Sequence, residues 1–404
     1  MTKQRYYSLD VFRGATVALM ILVNNPGTWS HMFAPLKHAP WHGCTPTDLV
    51  FPFFLFAVGN AMSFVIPRLQ EAGDAVFWQK VLKRTVLIFL IGLGLNWFPF
   101  VQWAGDSLQF RAWVDATDPS KGVRIFGVLQ RIAVAYFFAS VLVYYCRPKA
   151  LIYLSAAILL GYWGLSAWLG TGDPYSLAGW FGTAIDKQIL GVAHMYKGEG
   201  VPFDPEGLMS TIPAIVQVVF GYLVGVFIRG QGQVDWIWRK VPSSNEPHFK
   251  LLSGLLVTGF ILLVLGWVWS LGFPINKKIW TSSYVLYTTG LATMTIAGMI
   301  WYIEVQGVRN TITKFFDVFG KNPLFIFVLS ALIPKSLALV RIPAGINQQG
   351  EQIFTSPLRW FYNTVCAPIP GPPEVGSFVY SLFFLAFMWA ICYVLDKKKI
   401  YIKV

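Results

Sequence analysis

The sequence predicts an all-α polytopic membrane protein, and three observations carry that prediction. Of its 404 residues, 55% are hydrophobic and only 13% are charged, and the mean hydropathy is +0.54, a balance that excludes a soluble globule. Aromatic residues make up 17% of the chain, as expected where many rings lie at the headgroup layer. Apolar runs long enough to cross a bilayer recur along the whole chain.

About ten apolar runs of roughly 18 to 25 residues are predicted to be transmembrane helices. They lie near residues 7–25, 46–66, 81–99, 123–145, 150–169, 208–228, 250–271, 281–303, 315–339 and 376–395. Lys3 and Arg5 precede the first run, as in a signal peptide, but Asp10 and Arg13 interrupt it and no small-residue cleavage site follows. We therefore expect a retained first helix.

The distribution of Lys and Arg predicts that both termini are cytoplasmic. With the N-terminus inside, the inner segments hold most basic residues, whereas the longer outer loops are rich in acids. Loops near residues 100–123, 170–207 and 340–375 are expected to form a lid or outer layer. Because no internal repeat is found, residues 1–404 are predicted to form a single transmembrane domain.

Charge and cysteine content limit the partners that we expect. The net charge of +13 is scattered between apolar runs and forms no single patch, so nucleic-acid binding is not predicted. The four cysteines have no metal-ligand spacing, so no metal site is predicted. Membrane lipid is the expected surrounding of the apolar runs.

The densest group of reactive side chains lies in the polar loop between the first two predicted helices, at residues 24–48. His38 and Asp48 are ten positions apart, across a turn with two prolines and a glycine. The chain can therefore fold back, so that the carboxylate bonds one imidazole nitrogen and leaves the other as a base or nucleophile. The alternatives are a solvated histidine and a helix N-cap role for Asp48. His31 and His42 are expected to be solvated.

Several polar groups fall within or at the ends of apolar runs, where burial without a partner is costly. They are Asp10, Arg13, Asn24, Asn25, Asp48, Gln130, Arg131, Lys321 and Asn322. Asp10 and Arg13 either pair with each other or hold an anionic ligand at the inner mouth. Arg131 is expected to have an acid or a phosphate nearby. Residues 321–323 (KNP) predict a helix break, either as part of a site or as a kink with a snorkelling lysine.

These residues occur in motifs that resemble the heparan-α-glucosaminide N-acetyltransferase family of transmembrane acyltransferases. The motifs are residues 8–14 (SLDVFRG), 23–24 (VN), 38–43 (HAPWHG), 48–52 (DLVFP), 127–132 (GVLQRI) and 320–324 (GKNPL). The resemblance spans nearly the whole chain, and its most specific part is the ordered set of motifs before residue 53. The large extra-cytoplasmic N-terminal domain of the lysosomal enzyme has no counterpart here, so we expect a bacterial member in the inner membrane.

The resemblance implies an enzyme that takes acetyl-CoA from the cytoplasm and acetylates an amino sugar on the far side. It implies that His38 is the active-site histidine, Asp48 its acidic partner and Asn24 the active-site asparagine. Asn25 is the alternative, since the segment before His38 is a few residues longer than in the family. The residues predicted to contact coenzyme A are Arg13, Gln130, Arg131 and Asn322. A glucosamine-type sugar or an envelope glycan is the expected acceptor, and the family implies a possible homodimer.

Two chemical routes are compatible with these residues. His38 either accepts the proton of the amine during direct transfer, which we favour, or is itself acetylated first. In both, Asn24 can donate a hydrogen bond to the developing oxyanion. The alternative from another class is a secondary transporter of a sugar, with Asp10, Asp48, His38 and Arg131 as a proton relay, although paired repeats are absent. An O-acetyltransferase with the same donor is a further alternative.

Overall fold

The structure, a computed structural model, describes residues 6–230, 247–346 and 348–402, so Lys3 and Arg5 lie outside the described residues. The first half of the chain forms α1 (Tyr7–Asn24), α2 (Val50–Ala72), α3 (Asp74–Trp97), α4 (Val128–Tyr145), α5 (Pro148–Leu169), α6 (Gly182–Leu190) and α7 (Leu208–Arg229). The second half forms α8 (Pro247–Trp269), α9 (Ser282–Ile300), α10 (Thr311–Lys321), α11 (Pro323–Leu337), α12 (Pro357–Phe361) and α13 (Pro373–Lys397). Two antiparallel hairpins pair β1 (Val101–Ala104) with β2 (Ser107–Phe110), and β3 (Ile342–Ile346) with β4 (Gln352–Thr355).

Every predicted apolar run coincides with a helix or a helix pair, which confirms the all-α polytopic class. Among the described residues, seven helices are long and apolar enough to cross a membrane, or eight if α10 and α11 count as one span. The expected number of about ten is therefore higher than this measure supports. The two remaining runs are α3, whose 24 residues include three basic side chains, and α9, whose 19 residues are rich in Ser and Thr.

The predicted helix break is a bend of 82° between α10 and α11. Asn322 at the bend has a non-helical backbone, and Pro323 begins α11. The Asn322 amide donates to the Ile400 carbonyl oxygen at 3.1 Å and accepts from the Ile402 N–H at 2.8 Å. The Asn322 side chain thus holds the segment that follows α13. It is not among the described residues that line the two cavities described below, so nothing in the structure supports its expected contact with coenzyme A.

Close approach of helix backbones at glycines fixes the bundle around the site. Gly14 of α1 lies against α10, where a Cβ atom would overlap the carbonyl oxygen of Phe316. Gly59 of α2 lies against α7 in the same way, and a Cβ atom there would overlap the carbonyl oxygen of Val218. Small residues permit this close packing of membrane helices. As a result α1 is held tightly against α10, and α2 against α7.

The long loops pack on one another at one end of the bundle. Trp103 of β1 donates its indole N–H to the Leu339 carbonyl oxygen at 3.0 Å, and Lys278 pairs with Glu199 at 2.6 Å. The segments near both termini lie at the opposite end, where the Ser8 N–H bonds Glu304 and Asn322 bonds the segment after α13. The described loops therefore form the outer layer that their lengths predicted.

The buried amide of Asn322 leads to a prediction about stability. Asn322→Ala removes both hydrogen bonds to the C-terminal segment, so the free energy of unfolding should fall by about 1–3 kcal/mol. Thermal unfolding in detergent measures the effect, with the exposed Gln306→Ala as a matched control. Equal melting temperatures for the two variants, or a loss of coenzyme A affinity in Asn322→Ala without destabilisation, would contradict this structural role.

Candidate active site

His38 lies in the loop between α1 and α2, and its imidazole contacts the carboxylate of Asp48. The Nδ1 atom of His38 is 2.7 Å from Oδ1 of Asp48, whose side chain is 1% exposed against 41% for His38. Since a carboxylate only accepts hydrogen bonds, the neutral imidazole carries its proton on Nδ1. Nε2 is then available as a base. The structure thus brings together the two residues that the sequence paired.

The second carboxylate oxygen of Asp48 holds the loop itself. Oδ2 accepts from the backbone N–H of Ala39, the backbone N–H of Thr45 and the hydroxyl of Thr45, each at 3.0 Å. The Thr45 and Asp48 contacts form a capping box at the turn that leads into α2. Asp48 is therefore the partner of His38 and also part of the capping box, at position N3; the N-cap itself is Thr45 and not Asp48, which was the alternative that the sequence left open.

Lys277, in the loop between α8 and α9, is a third charged group at the same place. Its Nζ atom is 3.1 Å from Nδ1 and 3.4 Å from Nε2 of His38, and 3.6 Å from Oδ1 of Asp48. Burial lowers the pKa of Lys277, and the carboxylates of Asp48 and Glu206 offset that effect only in part. The sequence analysis missed this residue. The one available signal was a pair of lysines in an outer loop, where the charge pattern otherwise favours acids.

The loop that carries Lys277 is held in a defined conformation. The buried side chain of Asn276 accepts from the backbone N–H of Lys278 at 2.7 Å and of Ile279 at 3.1 Å, the pattern of an Asx turn. Trp280 follows with a φ of +49°, a left-handed conformation that is strained for a bulky residue. The Gly43 N–H bonds the Ile275 carbonyl oxygen at 2.8 Å, which ties this loop to that of His38.

His38, Asp48 and Lys277 line a cavity of about 270 Å³, which we call the outer cavity. Its apolar wall comes from α1, α2, α4 and α11, and its outer rim carries Trp41, Arg124, Tyr196, Glu199, Glu206 and Lys278. Asn24 also lines the outer cavity, whereas the side chain of Asn25 donates to the Ile21 carbonyl oxygen at 2.9 Å. The geometry thus favours Asn24 over Asn25 as the asparagine of the site.

The two other histidines of the loop are placed outside this group. His31 is exposed, and neither His31 nor His42 is among the described residues that line the outer cavity. The Nδ1 atom of His42 lies 3.4 Å from the amide nitrogen of Asn276. Burial lowers the pKa of His42, with a smaller opposing effect of Asp173. His42 is therefore close to the site but does not line the outer cavity.

An ion-pair group on the rim of the outer cavity joins segments that are about 80 positions apart in the chain. Arg124 contacts both carboxylate oxygens of Asp204, at 3.0 and 2.5 Å, and Oε2 of Glu206 at 2.5 Å. Burial raises the pKa of Glu206, but the guanidinium groups of Arg124 and Arg131 outweigh burial, so the pKa lies below its ordinary value. Glu206 is thus an anionic hydrogen-bond acceptor at the cavity rim. Sequence reasoning used these residues only for topology.

Arg131 and Gln130 lie beside the outer cavity but do not line it. Arg131 is fully buried and donates to the Pro205 carbonyl oxygen at 2.5 Å, to Ser210 and to Thr211. Glu206 and Asp204 lie near enough to interact electrostatically with its guanidinium, so the expected acid is nearby, but the hydrogen bonds go to backbone and hydroxyl oxygens. Gln130 is buried against Gly92. Arg131 thus supports the start of α7, and Gln130 lies at the α3–α4 contact.

A second, smaller cavity of about 110 Å³, the inner cavity, lies towards the end of the bundle that holds the termini. Arg13 and Arg84 line it, and Phe54 and Ile132 line both cavities. Arg13 pairs with Asp10 at 2.7 Å and also donates to the Gly320 carbonyl oxygen at 2.8 Å. Arg13 therefore forms the predicted pair with Asp10 and still contributes a positive charge to the inner cavity.

Asp186 of α6 anchors the chain that carries Glu206. Its Oδ1 accepts from the backbone N–H groups of Leu208 and Met209 at 3.1 and 3.3 Å, at the start of α7. Its Oδ2 has no hydrogen-bond partner among the described residues. Burial raises the pKa of Asp186 to about 7, although the two backbone hydrogen bonds oppose this shift. The carboxyl group is thus half-protonated near neutral pH.

Comparison with known proteins gives a consistent picture. Residues 5–254 match the family described as "Heparan-alpha-glucosaminide N-acetyltransferase, catalytic". The chain is 28% identical over 374 residues to heparan-alpha-glucosaminide N-acetyltransferase of Homo sapiens, and 27% identical over 378 residues to that of Mus musculus. Each alignment covers 80% of this chain but 52% and 53% of the two relatives. The chain thus spans about half the length of these curated relatives.

The raised pKa of Asp186 predicts a pH-dependent stability. The folded protein binds this proton more tightly than the unfolded chain, so the contribution of Asp186 is present below about pH 4 and is lost as the pH rises through about 7. Asp186→Asn removes this loss. Its free energy of unfolding should exceed that of the wild type by an amount that grows through this window, by at most about 1.4 kcal/mol per pH unit.

Thermal unfolding between about pH 5 and about pH 8 tests this effect. Asp106→Asn is the control, since Asp106 is 99% exposed and should keep the wild-type pH dependence. A difference between Asp186→Asn and the wild type that stays constant across the window would contradict the assignment.

Proposed function

Because the chain belongs to the heparan-alpha-glucosaminide N-acetyltransferase catalytic family, we propose that it is a membrane acetyltransferase that transfers the acetyl group of acetyl-CoA to the amine of an amino sugar. One observation carries the proposal: the bond of 2.7 Å between His38 and Asp48, on the wall of a cavity that faces the outer loops. This pair has the arrangement of a general base with an orienting acid. The printed names of the human and mouse relatives support the N-acetyl chemistry.

The proposed reaction is direct transfer within a complex of both substrates. The amine nitrogen attacks the thioester carbonyl carbon, a C–N bond forms, and the C–S bond to coenzyme A breaks. Nε2 of His38 accepts the proton that the amine loses and returns a proton to the departing sulfur. Asp48 stabilises the imidazolium formed in between, and the Asn24 amide donates to the carbonyl oxygen as negative charge develops.

The inner cavity supports entry of acetyl-CoA from the cytoplasmic side. The phosphates of acetyl-CoA require positively charged partners, and Arg13 and Arg84 supply guanidinium groups at the inner cavity. Phe54 and Ile132 form the wall shared by the two cavities. The thioester end has to pass these two side chains to reach His38. Among the four residues predicted to contact coenzyme A, we propose this role for Arg13 alone.

The rim of the outer cavity supports a small carbohydrate acceptor. Trp41 and Tyr196 offer aromatic faces, and Glu199 and Glu206 offer carboxylate acceptors for hydroxyl groups. Polar groups at defined positions in a largely apolar cavity are typical of small-ligand sites, and a volume of about 270 Å³ lies just below their usual range, which favours a small acceptor. We therefore propose a glucosamine-type sugar or the end of an envelope glycan as the acceptor.

The charge distribution supports an orientation in the membrane. The basic inner segments suggest that the outer cavity faces the periplasm of a bacterial inner membrane. We also propose, from the family resemblance, a single transmembrane domain that forms a homodimer.

Replacement of His38 tests the proposed function. Purified protein in detergent is incubated with acetyl-CoA and glucosamine, and mass spectrometry follows both the sugar and the protein. His38→Ala should lower the transfer rate by about 10²–10⁴-fold, the usual contribution of a general base, while coenzyme A still stabilises the variant against heat. His42→Ala is the matched control from the same loop and should keep the wild-type rate.

Other results separate the alternatives. Equal rates for His38→Ala and His42→Ala would contradict the assignment of the base. An acetyl group trapped on His38 in the absence of acceptor would replace direct transfer by the two-step route. Coenzyme A binding without glucosamine acetylation would point to another acceptor, such as a sugar hydroxyl.

A further inference from the structure

Lys277 is a charged group whose Nζ atom lies within 3.4 Å of both nitrogens of His38, and it lies outside the part of the chain that matches the family, residues 5–254. Its side chain is 20% exposed and lines the outer cavity. Two carboxylates, Asp48 and Glu206, act on it electrostatically. A buried ammonium group is costly unless such partners compensate its charge, so its position beside His38 requires an explanation.

The surroundings fix the position of this lysine rather than leaving it to a flexible loop. The Asn276 side chain accepts the backbone N–H groups of Lys278 and Ile279, and the backbone N–H of Asn276 donates to the Thr281 hydroxyl at 3.0 Å. Trp280, in its left-handed conformation, is fully buried. Strained backbone beside a cavity is characteristic of functional sites. The loop thus presents Lys277 to the outer cavity with little freedom.

The geometry of the transfer brings the acetyl carbonyl oxygen close to Lys277. The attacking amine must lie within about 2.6–3.2 Å of Nε2 of His38 to lose its proton. The carbonyl carbon is bonded to that amine in the tetrahedral intermediate, so its oxygen lies within a few ångströms of Nε2. The Nζ atom of Lys277 is 3.4 Å from Nε2. An ammonium donor is therefore within reach of the oxygen on which negative charge develops.

We propose that Lys277 is a catalytic residue that donates a hydrogen bond to the acetyl carbonyl oxygen and stabilises the tetrahedral oxyanion, together with Asn24. This inference rests on the proposed function. Lys277 keeps its proton throughout: the amine proton goes to His38 and then to the sulfur of coenzyme A, as the C–N bond forms and the C–S bond breaks. Such a donor acts where charge appears in the reaction and contributes more there than in bound substrate.

The protonation state of Lys277 depends on the titratable groups that face it. His38, Asp48 and Cys44 come from the loop before α2, and Glu206 comes from the segment before α7. The carboxylates favour the charged form, whereas burial disfavours it. Loss of the Lys277 proton at alkaline pH removes the donor, so the transfer rate of the wild type should fall there.

Three variants test the proposal. Lys277→Met keeps the approximate length of the side chain but removes its charge, whereas Lys277→Arg keeps the charge at all accessible pH values. The control is Lys187→Met, which replaces an exposed lysine of α6. Lys277→Met should lower kcat by about 10²–10³-fold, the effect of removing one oxyanion donor, with the KM for acetyl-CoA within about threefold of the wild type. Lys277→Arg should retain more activity than Lys277→Met and lack the alkaline fall in rate.

Folding is checked by coenzyme A-dependent thermal stabilisation, and Lys277→Gln replaces Lys277→Met if the latter does not fold. Equal kcat values for Lys277→Met and Lys187→Met would overturn the proposal. The proposal would also be overturned if the transfer rate of Lys277→Arg fell at alkaline pH in the same way as that of the wild type, or if Lys277→Met changed only KM. These outcomes presuppose an active wild type. A wild type that binds coenzyme A but transfers no acetyl group to any amine instead refutes the proposed function.

Discussion

The buried carboxylate of Asp48 is the group on which the arrangement of the site depends. A buried charge is tolerated only when it is paired and hydrogen-bonded, and both oxygens of Asp48 are engaged. One oxygen closes the loop through Ala39 and Thr45, while the other orients His38. The fold of the loop and the chemistry of the imidazole are therefore coupled through one side chain. A change that disturbs the cap at the start of α2 also misorients the proposed base.

The same helix connects the site to the opposite side of the bundle. Asp48 lies two residues before α2 begins, and Phe54 lies about 9 Å further along the chain at 1.5 Å per residue, in the wall shared by the two cavities. Backbone contact with α7 at Gly59 holds α2 in place. The turn before α2 thus carries the orienting acid of the outer cavity, and α2 itself carries part of the wall between the outer and inner cavities. This arrangement suits an enzyme whose two substrates arrive from different sides.

The sequence predicted the features that depend on local patterns. Apolar runs identified the helices, residues 321–323 identified the bend, and the turn between His38 and Asp48 allowed their contact. Features that depend on distant contacts were not accessible. Lys277 lies about 240 positions from His38, and Arg124 lies 80 positions from Asp204. No local pattern encodes such proximity.

Two residues show that one side-chain type has several ways to be satisfied. Arg131 was expected to have an acid or a phosphate nearby, and acids do act on it electrostatically, yet its hydrogen bonds go to carbonyl and hydroxyl oxygens inside the fold. Asn322 was expected near coenzyme A, yet its amide binds the backbone that follows α13. In both cases residue type and position within an apolar run identified a buried polar group correctly, while its partner depended on the tertiary fold.

The most direct test of the account is the sidedness of the reaction in sealed vesicles that contain the protein in a known orientation. Acetyl-CoA is supplied only on the side of Arg13 and the chain termini, and the amino sugar only on the side of His38. The account predicts that acetylated sugar appears on the His38 side, while free coenzyme A appears on the other. Product formation only when both substrates are on the same side of the membrane would contradict it.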